Sequence, residues 1–182
     1  RVDRVHDSMI CVQYVDEAFP VAGASFMPSD DPLVRAHIRT WCMFANEKII
    51  PHFYRMLMKA AKDEREEEKR LLLEGLSQFA RAMAPVGPSG EAFFLGDAFS
   101  MVDIVLCPWW HRFWSVGLVY RGLEIPTGGV FDRLHAWGKA CSSRASVERT
   151  IVDQQRITNN YISYADGSAT STVAQTLVKS KM

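Results

Sequence analysis

Apolar residues along most of this chain return every three or four positions, the period of a helix with one buried face. Ile10, Cys11, Tyr14, Val15 and Ala18 form the first such stripe. Asp7 and Ser8 are short polar residues suited to cap it, and Pro20 ends it. The run Pro28-Ser29-Asp30-Asp31-Pro32 is a second helix start, with a capping acid and proline at the first helical position. From there Val34, Ile38, Trp41, Cys42, Ala45, Ile49, Phe53 and Leu57 share one face, which predicts a helix from Pro32 to about Ala61. Pro51 lies inside it and predicts a kink or short break near Ile50.

Residues 62–70 are a dense mixed-sign charge run and read as a solvated helix face, with Glu66 and Arg70 four apart. Leu72, Leu73, Leu76, Phe79 and Ala80 continue as a long helix to about Met83. Residues 84–99 are rich in glycine and proline, yet Phe93-Phe94-Leu95 interrupts them, so an ordered loop is expected. Further helices are expected from Ser100 (with Pro108 inside), from Phe131 to about Ser142, and from Ile157 to Ala165, with Ser146 capping a short segment. The tail from Asp166 turns to Ser, Thr and Ala, with room for an amphipathic turn through Val173, Leu177 and Val178. Nothing in residues 7–182 alternates as a strand does, whereas Arg1 to His6 look like the end of a hairpin. The expected body is all-α.

One start signal is more detailed than the others. Ser100 and Asp103 are spaced as a capping box, in which a hydroxyl accepts from an early helix N–H and an acid reaches back to the cap's own N–H. Phe99 before the cap and Ile104 at the fourth helical position complete a hydrophobic staple. Such a cap is worth on the order of 1 kcal/mol.

Composition narrows the partners. The 182 residues are 48% hydrophobic and carry 21 basic and 21 acidic side chains, so no basic excess recommends nucleic acid or an anionic membrane. No apolar run reaches membrane length. The four cysteines are scattered without a CxxC pair, and the five histidines show no ligand spacing, so no metal site is expected. Buried thiols in a cytoplasmic protein are the expected reading. Trp109, Trp110, Phe113 and Trp114 form a dense aromatic cluster whose plain reading is core packing.

Set in order, these features resemble the helical C-terminal domain of cytosolic glutathione transferases, closest to the omega-like class of fungi. The resemblance rests on Phe93-Phe94-Leu95-Gly96-Asp97, the box Phe99-Ser100-Met101-Val102-Asp103-Ile104, and Pro108-Trp109-Trp110-His111-Arg112. It extends to the entry at residues 28–32 with Arg35-Ala36, to Ile49-Ile50-Pro51, and to Tyr161-Ile162-Ser163-Tyr164-Ala165-Asp166. Asp7-Ser8, with Tyr14-Val15-Asp16-Glu17 further on, resembles the family's acid–hydroxyl segment closing its thioredoxin-like domain. The resemblance implies residues 1–21 as the last strand and helix of that domain, 22–165 as the helical bundle and 166–182 as a tail. It implies glutathione as co-substrate, its γ-glutamyl end held by Asp7 and Ser8, where the family more often has Glu in place of Asp7. Arg112, Trp109, Trp41 and Phe44 are then expected to line a pocket for a small electrophilic or disulfide acceptor. No catalytic residue is expected within this chain, since the family's catalytic cysteine lies earlier. The complete protein is expected to be a homodimer performing thiol transfer, reduction or conjugation; a non-enzymatic docking module is the alternative.

Overall fold

The computed structural model describes residues 4–20, 25–28 and 30–179, with only the backbone described for 177–179. Among them the regular structure is helical throughout. Helix α1 (Ser8–Ala18) is capped by Asp7, and α2 (Pro32–Phe44) by Asp31, whose Oδ1 accepts from Leu33 N at 2.8 Å. Residues 4–6 are irregular, so the strand expected at the N-terminus is not formed there; residues 1–3 lie outside the described set. A lone extended segment has no neighbour to take its N–H and C=O groups, which removes the reason to be a strand.

The break expected near Ile50 comes earlier and takes a particular form. A five-residue π turn, Ala45–Ile49, separates α2 from α3 (Ile50–Met58), with Pro51 in the first turn of α3. Proline has no N–H to give the preceding turn and its ring crowds the carbonyl four residues back. A wider turn there accommodates both. Helix α4 (Lys62–Ala82) takes in the charge run and the leucine stripe as one element of 21 residues. The pairing within the run differs from the expected one. Glu66 reaches Lys69 at 3.6 Å, while Arg70 binds Glu67 at 2.8 Å and Glu74 at 3.1 Å. Each pair has at least one exposed partner and contributes little.

Helix α5 (Met101–Arg112) follows the ordered loop and runs through a second π turn, Phe113–Gly117, into α6 (Leu118–Arg121). Then come α7 (Val130–Ser143) and the short α8 (Ala145–Glu148). The helix expected over residues 157–165 is two, α9 (Gln154–Asn160) and α10 (Ile162–Ala165). They are divided at Tyr161, whose buried ring packs on Phe53 and Tyr54. In the tail, α11 (Thr172–Lys179) lies against α3.

One core joins these elements. Ile38 and Cys42 of α2, Phe53 and Leu57 of α3, Leu72, Leu76 and Phe79 of α4, Leu106 of α5 and Trp137 of α7 are all fully buried. Two arginines hold irregular backbone to this bundle. Arg133 donates to the carbonyls of Ala84 (2.9 Å), Ala92 (2.8 Å) and Phe93 (2.6 Å), which orders the loop before α5. Arg121 donates to Met56 O at 3.2 Å, Ala165 O at 2.7 Å and also to Leu57 O, tying the end of α3 to the end of α10. Buried backbone oxygens at helix ends need such donors, and a guanidinium supplies several at once.

Candidate functional site

Helix α5 is the element around which chemistry can gather, and its first turn is more than a cap. Asp103 is fully buried and accepts four hydrogen bonds. Oδ2 takes Ser100 N at 2.7 Å and Ser100 Oγ at 2.9 Å, while Oδ1 takes Phe94 N at 2.8 Å and Trp137 Nε1 at 2.7 Å. Burial pushes the carboxyl above the ordinary carboxylate range, and the four donors pull it back. The box expected from Ser100 and Asp103 is therefore present, and it also joins the 84–99 loop to α7.

One face of α5 opens onto a cavity of about 710 Å³. Ile104, Cys107, Pro108, His111 and Arg112 form its floor, at the helical spacing of one stripe. The second half of α1 (Val15, Asp16, Phe19) forms one wall together with Phe26 and Phe99. The opposite rim comes from residues 142–152 and Ile157. The lining is mostly apolar with a few charged groups, the character of a pocket for a small, partly hydrophobic ligand.

The charged groups there are already engaged. Asp16 accepts from Phe26 N at 2.9 Å and Ser25 Oγ at 3.1 Å, fixing the segment that leaves α1. Arg144 lies over the Phe99 ring at 4.2 Å. Arg112 donates from Nε to Tyr161 Oη at 2.8 Å and from Nη1 to Pro108 O at 2.7 Å, with its guanidinium 5.0 Å above the Trp109 ring. Two bonds and a ring face hold this arginine in one pose at the cavity edge.

The site residues expected from sequence separate into three groups. Arg112 lines the cavity. Trp109 lies outside the lining and packs against Phe53 at 5.6 Å and Tyr54 at 5.3 Å. Trp41 and Phe44 also lie outside it and pack on each other, tilted, at 4.8 Å, with Trp41 against Phe79 and Phe94. Asp7 and Ser8 stand at the other end of α1 from the cavity wall, both exposed. Asp7 is the cap: Oδ1 accepts from Met9 N at 2.8 Å and Ile10 N at 3.4 Å. It is also the one described non-glycine residue with positive φ, at 73°. An acidic side chain in that region costs on the order of 1–3 kcal/mol, a strain that proteins keep mainly at functional positions.

Sequence reading missed the rim at 142–152 and the partners of Asp103. Trp137 is 34 positions from Asp103, and no local pattern announces so distant a bond. Among the described residues no group of His, Cys, Asp and Glu is arranged to hold a metal, and no helix is long and apolar enough to cross a membrane.

Comparison with known proteins gives a consistent picture. The family profile described as "Glutathione S-transferase, C-terminal domain" matches residues 62–140. Glutathione S-transferase U28 of Arabidopsis thaliana is 32% identical over 154 residues, covering 84% of this chain and 64% of that protein. The chain thus spans a little under two thirds of the length of the curated relatives it matches. Among solved structures, glutathione transferase Omega 3C from Trametes versicolor superposes with a TM-score of 0.75 at 29% identity, over 92% of this chain and 67% of that one. The Tau class enzyme MiGSTU from mango, Mangifera indica L., gives 0.72 at 20% identity over 91% and 71%, a likeness of fold.

Proposed function

Because the chain belongs to the glutathione S-transferase family, we propose that it is the acceptor-substrate half of a glutathione-dependent transferase, with Asp7 and Ser8 contributing to the glutathione site. The observation that carries this reading is the shared wall. Helix α1, which bears Asp7 and Ser8 at its start, forms one side of the 710 Å³ cavity with its second half. Glutathione anchored at the head of α1 would lie along a helix that leads to the acceptor.

The chemistry at Asp7 and Ser8 fits the γ-glutamyl end of that co-substrate, which carries one ammonium and one carboxylate. Oδ1 of Asp7 serves the helix, and no described residue bonds Oδ2, which is left to pair with the ammonium. The Ser8 hydroxyl and the first N–H groups of α1 suit the carboxylate, favoured further by the helix dipole. The strained backbone at Asp7 is what such pre-positioning costs. Resemblance to the omega-like class, supported by Pro108-Trp109 with Arg112 and by the Trametes versicolor neighbour, suggests thiol transfer or reduction of mixed disulfides as the reaction type. The relatives named above are transferases, which favours this reading over a docking module.

The complete protein tests the assignment by calorimetric titration with glutathione. Loss of a hydrogen bond to a charged group costs about 1.5–3 kcal/mol, so Asp7→Ala and Ser8→Ala are each expected to weaken binding roughly 10- to 100-fold with no loss of fold. An affinity unchanged in both variants would remove these residues from the site.

A further inference from the structure

The cavity floor contains a second kind of chemistry that the functional reading does not use. Helices α5 and α7 pack antiparallel, and the contacts between them fix the register. Gly138 of α7 lies directly against the Trp110 indole, and Trp110 meets Trp137 at 5.8 Å and His135 at 5.6 Å. In that register, three residues back along α5 and three forward along α7 lead to Cys107 and Cys141, one turn from the Trp110–Gly138 contact on each helix. At that level the two thiols are near enough for each to shift the ionisation of the other. Cys107 lines the cavity at 6% exposure, while Cys141 behind it is fully buried. A pair of thiols, one facing a ligand-sized hollow and the other beside it at the same level of the helix interface, has the arrangement of an attacking and a resolving cysteine.

We propose that Cys107 and Cys141 are a redox-active dithiol that reduces low-molecular-weight disulfides entering the cavity. In the first step the Cys107 thiolate attacks one sulfur of the disulfide, forming a mixed disulfide. The departing thiolate takes up the proton that Cys107 gave up and leaves as the first thiol. Cys141 then loses its proton and attacks the Cys107 sulfur, closing a Cys107–Cys141 bond. The second thiolate departs with that proton. In total two protein thiols are oxidised by two electrons and one disulfide is reduced to two thiols.

The order of the steps follows from the environment of each sulfur. The neighbouring Cys141 thiol holds the Cys107 thiol below its ordinary value, and the same interaction together with burial pushes Cys141 far up. Thiolate therefore forms first at the sulfur that faces the cavity. Cys141 need not be reached from solution, because its target is the neighbouring sulfur across the α5–α7 interface. Cys42 provides an internal control: burial pushes its thiol up to about 12, so it stays protonated and unreactive at neutral pH.

The test uses hydroxyethyl disulfide, a neutral probe, with the folded chain and no glutathione, so its outcome is independent of the Asp7 and Ser8 assignment. Intact mass is expected to fall by two hydrogens, and a non-reduced digest should link the Cys107 peptide to the Cys141 peptide. Cys141→Ser should stop at the mixed disulfide on Cys107. Cys107→Ser should lower the reaction rate at Cys141 at least tenfold. The digest of the wild-type chain decides the matter even if a variant fails to fold. A wild-type chain that accumulates the mixed disulfide, or whose Cys107 and Cys141 both remain open to alkylation under denaturing conditions after treatment, overturns the proposal.

Discussion

Asp103→Ala is expected to lower stability by roughly 3–5 kcal/mol, several times what a helix cap is worth. Removing the carboxylate leaves the N–H groups of Phe94 and Ser100 and the indole N–H of Trp137 without acceptors in a fully buried site. Each orphaned donor carries a desolvation cost of about 1–3 kcal/mol, and relaxation of the loop and of α7 recovers some of it. In a chain of this size the melting temperature should fall on the order of 10 °C. Ser100→Ala removes the hydroxyl bond to Oδ2 together with the cap's acceptor for the Asp103 N–H and should cost about 1 kcal/mol. Asp103→Asn should lie between them. Its single oxygen can serve Phe94 and Trp137, and the Ser100 hydroxyl can turn to accept from the amide, which leaves Ser100 N–H as the main orphan. Urea unfolding of the three variants checks the order. Equal losses near 1 kcal/mol for Asp103→Ala and Ser100→Ala would reduce Asp103 to an ordinary capping residue.

That comparison also marks what can be read from the chain without its fold. The Ser100–Asp103 box is a local device, closed within one turn, so spacing alone reveals it. Its extension to Trp137 and Phe94 depends on how α7 and the loop return to α5, and no short-range pattern encodes that return. The same division applies elsewhere. The apolar stripe of α2 and α3 was legible as one helical face. The π turn at Ala45–Ile49 was legible only as a disturbance from Pro51, because the form a break takes depends on what packs around it. In the charge run, the choice of Glu67 and Glu74 over Glu66 by Arg70 turns on rotamers at an exposed surface, which sequence spacing leaves open. At the candidate site, Arg112 lines the cavity because it ends the α5 stripe, whereas Trp41 and Phe44 are held among the aromatic rings of the core. Both were apolar residues on a helix face, and periodicity cannot say which neighbour a face will meet.

Gly138→Ala is expected to destabilise the protein by roughly 1–3 kcal/mol, against the ~1 kcal/mol gain that the same change brings at an exposed helix position. A methyl group there would fall inside the van der Waals envelope of the Trp110 indole. Trp110 has little freedom to give way, since it is 7% exposed and bounded by Trp114, His135 and Trp137. The overlap must be relieved by moving α7 away from α5, so packing outweighs helix propensity. Combining the change with Trp110→Phe separates the two effects. If the clash is the cause, the double variant should be at least 1 kcal/mol more stable than the sum of the single losses predicts. A simple sum, or a gain for Gly138→Ala alone, would mean that the two helices are not in close contact here. The same separation acts one turn away, where it would draw the Cys141 sulfur back from Cys107. Gly138→Ala should therefore slow closure of the Cys107–Cys141 bond while leaving attack at the cavity-facing Cys107 intact, so the mixed disulfide accumulates in this variant. The small residue at position 138 is then what holds the second thiol within reach of the first.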